Sequence, residues 1–135
     1  MALEDISVVS APDRDQLTGN ATAVLHEVAE LLVALAGRGE SGVIDLNGMP
    51  LSNADKEWLR AKLGKGEIEM ALSLEGASQV QETAFHGVWW LVHYNQRGVL
   101  TGEFIEVNRV PALALAHPED ISEAADRLAL LIDDL

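Results

Sequence analysis

Glu82, Glu106 and the four histidines (His26, His86, His93, His117) are the side chains here whose types suit proton transfer or metal binding. A pair of carboxylates works as acid and base when both reach one substrate atom. Glu82 and Glu106 are expected on strands flanking a central one, roughly 10 Å apart at the usual strand spacing. A solvated acidic face is the more economical reading. His26 and Glu30 stand four apart on a predicted helix, a spacing that puts two ligands on one side. No second pair supports a metal, and no H-E-x-x-H run is present, so a solvent-facing pair is expected. Nucleophile motifs are missing: there is no G-x-S-x-G and no S-x-x-K. With no cysteine, disulfides, thiolate zinc sites, cysteine-ligated clusters and thiol nucleophiles are excluded. Gly37-Arg38-Gly39 and Gly64-Lys65-Gly66 lack the run needed to cradle phosphate and read as helix stops. The sequence therefore predicts no catalytic constellation, no metal and no cofactor.

The elements that position these residues are read from periodicity. The chain has 135 residues, 48% apolar and 23% charged, a mixture suited to one globular domain. Residues 1–19, with Pro12 and mixed charge, read as a mobile arm with one short strand at Ile6–Val9. Residues 20–135 read as a single domain. Val24, Leu25, Val28, Leu31, Leu32 and Leu35 follow helical spacing from Asn20. Val43 to Asn47 is a short β-branched run that ends in a turn. Ser52 with Asp55 three residues on predicts a capping box opening a second helix. Residues 67–75 alternate strictly as a strand with Ile68, Met70, Leu72 and Leu74 on its buried face. Strands at Gln79–Phe85, Val88–Asn95 and Val99–Val107 follow, then a last helix from about Glu119. Its stripe is Ile121, Ala124, Ala125, Leu128, Leu131, Ile132 and Leu135. The fold class is α+β: an antiparallel meander sheet with about three helices packed on one face.

Register arithmetic then predicts a surface. If His86-Gly87 is a two-residue turn, Thr83 opposes Trp90 and Glu82 opposes Leu91. If Asn95–Gly98 is a four-residue turn, Phe104 lies beside Trp89 and Ile105 beside Val88. Burying Val88, Trp90, Val92, Ile105 and Val107 sends Glu82, Trp89, Leu91, His93, Phe104 and Glu106 to the other face. With Glu67, Glu69 and Glu75 added, this is an aromatic island ringed by carboxylates, suited to binding a protein. Coverage by the arm or by a second copy is the competing reading. The formal charge of -13 argues against nucleic acid and against anionic membranes, and favours a positively charged partner. It also argues against base stacking on Trp89-Trp90. The acidic N-terminus shows no signal peptide, and no apolar run is expected to span a bilayer, so a cytoplasmic location is expected.

Three stretches together resemble the hydrogenase expression/synthesis HupH family, also called HyaF. They are Pro50-Leu51-Ser52-x-x-Asp55 through Leu63-Gly64-Lys65-Gly66-Glu67-Ile68; Gln81-Glu82-Thr83-x-x-x-Gly87-Val88-Trp89; and Ile105-Glu106-Val107-x-x-Val110-Pro111. Familiar members are often longer, with an additional N-terminal portion. The resemblance implies an accessory protein for maturation of nickel–iron hydrogenase, without enzymatic activity or bound cofactor. Its implied partner is the iron–sulfur small subunit or another hydrogenase maturation protein. An apolar island rimmed by glutamates would suit the basic-then-apolar signal peptide of that subunit. Glu82, Trp89 and Glu106 belong both to the motifs and to the predicted face, while Gly87 and Pro111 read as a turn glycine and a strand terminator. A small metal- or ligand-binding domain using His26 and His93, and a homodimerisation module burying Trp89, remain as alternatives.

Overall fold

The computed structural model describes residues 16–73 and 75–135; the predicted strand at Ile6–Val9 lies outside them. In chain order the elements are α1 (Asn20–Arg38), β1 (Gly42–Asp45), α2 (Asn53–Leu63), β2 (Glu69–Ser73), β3 (Ala77–Glu82), β4 (Val88–Tyr94), β5 (Leu100–Val107) and α3 (Pro118–Asp133). The five strands form one antiparallel sheet in the order β1-β5-β4-β3-β2. The α+β architecture read from the sequence is therefore the observed one, with β1 as the fifth strand on the outer edge of the meander.

Local chemistry sets the helix starts. Ser52 caps α2 by accepting from the Asp55 amide at 3.0 Å, and the Asp55 carboxylate returns the bond to the Ser52 amide at 2.9 Å. The same carboxylate accepts from the amide and hydroxyl of Thr18, at 2.9 and 2.6 Å, which ties the chain ahead of α1 to the start of α2. Burial pushes the Asp55 carboxyl up. The bonds from Thr18 and Ser52 outweigh it, so the net displacement is below the ordinary carboxylate value. With 19 residues and a mean hydropathy of 1.2, α1 has the length and composition of a spanning helix, contrary to the expectation of no such run. Its Ala21, Val24 and Val28 are packed into the domain core.

The sheet carries an apolar cluster on each face. Under α1 and α2 lie Ile44, Leu46, Val88, Trp90, Val92, Ile105 and Val107, all buried together with Leu59 and Leu63 of α2. On the second face Val80, Trp89 and Leu91 form a smaller cluster with Met70, Leu72, Phe104 and Leu113 against it. Alternation along β4, whose first five residues are all buried, requires both.

Both hairpin registers differ from the arithmetic by two residues, which leaves every side chain on its predicted face. Glu82 opposes Trp89, because four residues rather than two turn the chain from Thr83 to Val88. In the next hairpin Tyr94 pairs with Leu100 and His93 with Gly102. One extra residue sits in the turn and one more, Thr101, in a bulge. β2 differs in kind. Met70 opposes Val80 and Glu69 opposes Gln81, so Met70 and Leu72 point to the second face and Glu69 to the helix side. The apolar side chains of β2 go where Val80, Trp89 and Leu91 offer a cluster; α1 and α2 do not extend over this edge. The ring of Glu67, Glu69 and Glu75 around one face is accordingly corrected for Glu69, and Ile68 is 45% exposed rather than buried.

The last helix is the other departure. Every residue of α3 is exposed, including Leu128 at 57% and Leu131 at 58%, so two helices cover the sheet and the third stands away from it.

Candidate functional site

Glu82, Trp89 and Glu106 stand in one row across three strands, since Trp89 opposes Glu82 on β3 and Glu106 on β5. The row is not the open island that the sequence suggests. Trp89 is 3% exposed, Leu91 4%, Glu82 6% and Glu106 5%. Side chains of this same chain cover it, chiefly Met70, Leu72, Phe104 and Leu113 packed over Val80, Trp89 and Leu91. The physical reason is alternation: consecutive residues of β4 point to opposite faces, so Trp89 needs a cover of its own, and Met70 and Leu72 of β2 turn to that face to supply it.

Each carboxylate holds a loop. Glu82 Oε1 accepts from the Glu67 amide at 3.0 Å, while Oε2 lies 3.3 Å from the His86 ring nitrogen. The Glu82 carbonyl also accepts from the Gly66 amide at 2.7 Å. A Cβ at Gly66 would stand 2.5 Å from Glu82 Oε1 and from the Thr83 carbonyl, so only glycine lets the strand entry lie this close. The His86 bond, despite the opposing pull of burial and helped by backbone amides, holds the Glu82 carboxyl below its ordinary range. On the other side Glu106 Oε2 accepts from Asn108 Nδ2 at 3.0 Å and from the Ala112 amide at 2.9 Å. The Trp89 indole donates to the Asn108 carbonyl at 3.0 Å. Gly87 adopts φ +94 beneath Leu32 and Leu35 of α1, and Pro111 is fully buried. The motif residues therefore converge on one end of the sheet and clamp residues 66–68 and 108–113 to it.

Glu82 Oε1 and Glu106 Oε2 thus hold the backbone at residues 67 and 112, while Glu82 Oε2 faces the exposed His86 ring. The remaining two predicted residues line the open part of the face. The His93 ring accepts or donates at Nδ1 to the Ser78 hydroxyl at 2.7 Å and tilts against Phe104 at 5.5 Å between centroids. His93, Phe104, Met70 and Leu72 are half-buried, so the second face presents a strip over a closed floor of Trp89 and Leu91. His26 and Glu30 are exposed on α1, and no group of three His, Asp or Glu side chains suited to one metal occurs among the described residues.

A second feature escaped the sequence reading. On the helix side, where α1 and α2 leave β2 and β3 uncovered, a cavity of about 530 Å³ is lined by Arg60, Leu63, Lys65, Ala71, Gln81 and Trp90. The Arg60 guanidinium lies 4.8 Å from the Trp90 ring centroid. The Trp90 indole donates to Glu103 at 2.8 Å, and Glu103 pairs with Lys56 at 3.2 Å. The signal was available: Lys56, Arg60, Lys62 and Lys65 are four of the nine basic residues of the chain.

Comparison with known proteins agrees with the motif resemblance. The family model of the HupH hydrogenase expression protein, C-terminal conserved region, matches residues 18–135. The hydrogenase expression/formation protein HoxQ of Azotobacter vinelandii is 36% identical over 104 residues, which are 76% of this chain and 36% of that protein. The hydrogenase expression/formation protein HupH of Rhodobacter capsulatus is 31% identical over 114 residues, 84% of this chain and 41% of that one. The chain thus spans about 36 to 41% of the length of these relatives. A solved structure, the hydrogenase expression protein HupH from Thiobacillus denitrificans, superposes with a TM-score of 0.85 at 46% identity. It covers 89% of this chain and 100% of that one.

Proposed function

The chain belongs to the family of the HupH C-terminal conserved region, and from that footing we propose that it is a non-enzymatic accessory protein of nickel–iron hydrogenase maturation, acting in the cytoplasm. Its direct partner in this reading is the iron–sulfur small subunit or a companion maturation protein. The observation that carries the reading is the strip of Met70, Leu72, His93 and Phe104 on the second face, half open above a rigid floor. Partly exposed aromatic and thioether side chains beside a satisfied polar frame are what a protein-binding patch requires. In this arrangement Phe104 and His93 touch the partner, Trp89 and Leu91 support them, and Glu82 and Glu106 fix the loops at either side. The charge of -13 favours a partner surface that is basic as well as apolar, and speeds the encounter with it.

Calorimetry with purified small subunit, with and without its signal peptide, tests this. Phe104→Ala is expected to weaken binding about tenfold or more, measured at a temperature where circular dichroism shows the variant still folded despite the packing it loses over Trp89, as for an anchor residue at an interface. Equal affinity for the signal-less subunit places the contact on the mature domain. Wild-type affinity in Phe104→Ala and His93→Ala alike would remove the second face from the proposal.

A further inference from the structure

Two regions of opposite charge stand apart in this chain. α3 and its C-cap Asp134 carry Glu119, Asp120, Glu123, Asp126, Asp133 and Asp134 against the single cation Arg127, and the stripe of Ile121, Leu128, Leu131 and Ile132 is more than half exposed. A helix of 16 residues with no apolar cover is marginal alone in water, so this stripe calls for a surface to lie on. The end of α2 is the opposite. Arg60, Lys62 and Lys65 are exposed, and none of them pairs with a carboxylate among the described residues. Arg60 and Lys65 border the cavity floored by Leu63, Ala71 and Trp90, with Glu69 the one acidic group in its lining, Lys62 over the Trp58 ring beside it, and the half-exposed Ile68 on the same connection.

We propose that α3 of one copy docks on the basic cavity between α2 and the β2–β3 strands of a second copy, the two copies exchanging helices around a two-fold axis. The chain cannot make this contact with itself. Leu113 packs on the second-face cluster and the Ala112 amide is bound to Glu106, so α3 departs from the face opposite the cavity. Only residues 114–117 separate Leu113 from the helix. Pairing α3 directly with a second α3 antiparallel is the poorer solution, because the flank residues Asp120, Arg127 and Asp134 then meet like charges. Exchange gives each acidic helix a basic rim and each stripe an apolar floor, and reciprocity closes the assembly at two copies. At about 0.15 M salt the Debye length is near 8 Å, so the net repulsion of two acidic chains is largely screened while contact pairs persist.

Sedimentation velocity on the full chain decides it, with two variants altered only at exposed positions and checked for fold by circular dichroism. One is Arg60→Glu with Lys65→Glu; the other is Asp120→Lys with Asp134→Lys. Wild type is expected to dimerise reversibly, and each variant alone to need at least about tenfold higher concentration. An equimolar mixture of the two variants restores the dimer, since each reversed helix then faces a reversed cavity. Leu128→Asp abolishes association in every combination. A monomeric wild type, a dimer indifferent to both reversals, or a mixture no better than its components would overturn the exchange.

Discussion

α1 and α3 carry apolar stripes of similar regularity and meet opposite fates. Val24 and Val28 of α1 are 2% and 4% exposed, whereas Leu128 and Leu131 of α3 are 57% and 58% exposed. The difference lies in how each helix is tethered. α1 is held at its start by Thr18 on Asp55 and by the Asn20 amide group donating to the Pro50 carbonyl, and β1 follows it directly into the sheet beside β5. α3 follows a segment pinned on the second face by Leu113 and the Ala112 amide, and every one of its residues is exposed. An amphipathic stripe thus states that a helix needs a partner, and the tether decides whether the partner is in the same chain.

The largest break in this comparison comes from the cores. Leu59→Ala removes a side chain with 0% exposure and is expected to cost about 2–5 kcal/mol in urea unfolding. Leu128→Ala, measured at concentrations where the chain is monomeric, is expected to change stability by less than about 0.5 kcal/mol. Equal costs would mean that α3 packs on its own domain, and the contrast between the helices would vanish.

The tether itself is next. Asp55→Ala deletes the acceptor for two Thr18 bonds and one half of the capping box, and about 2 kcal/mol is expected from a buried acceptor and a cap together. The pH dependence has a definite sign. Asp55 and Glu82 are both held below the ordinary carboxylate value, so their stabilisation is complete above it and is lost as pH falls through the lower folded values. Thermal midpoints should therefore fall with acid below about pH 4, and Asp55→Asn should flatten part of that fall. A variant with the full wild-type acid slope would show that the depressed Asp55 carboxyl does not contribute to it.

These results also mark what the sequence reveals. The capping box of Ser52 and Asp55 was readable because three residues contain it, whereas the bond from Thr18 spans 37 positions and has no local signature. The faces of β3, β4 and β5 came out right because side-chain parity survives a slip of two, so Trp89 and Phe104 could share a face without being correctly paired. Exposure did not follow from parity. Whether the second face is open depends on where Met70, Leu72 and Leu113 come to lie, and those contacts join residues brought together only by the whole sheet. The candidate row of Glu82, Trp89 and Glu106 was legible as a group through its motifs, but its task of clamping two loops appears only when the amides of Glu67 and Ala112 are in place.

The smallest effect on global stability is expected to be the sharpest test of independence. Ala129→Gly on α3 lowers intrinsic helix propensity by about 1 kcal/mol. In a helix buried like α1 such a loss would be shared by tertiary packing and would appear in the midpoint of the whole domain. In α3 it has only the local helix–coil balance to act on, where a 16-residue segment is near the margin. Monomeric Ala129→Gly should therefore lose part of its helical ellipticity and gain amide exchange across residues 118–133, while the urea midpoint of the sheet stays where it was. A midpoint that moved in step with the lost ellipticity would show that α3 and the sheet fold as one unit, and α3 would then no longer be a helix awaiting an external surface.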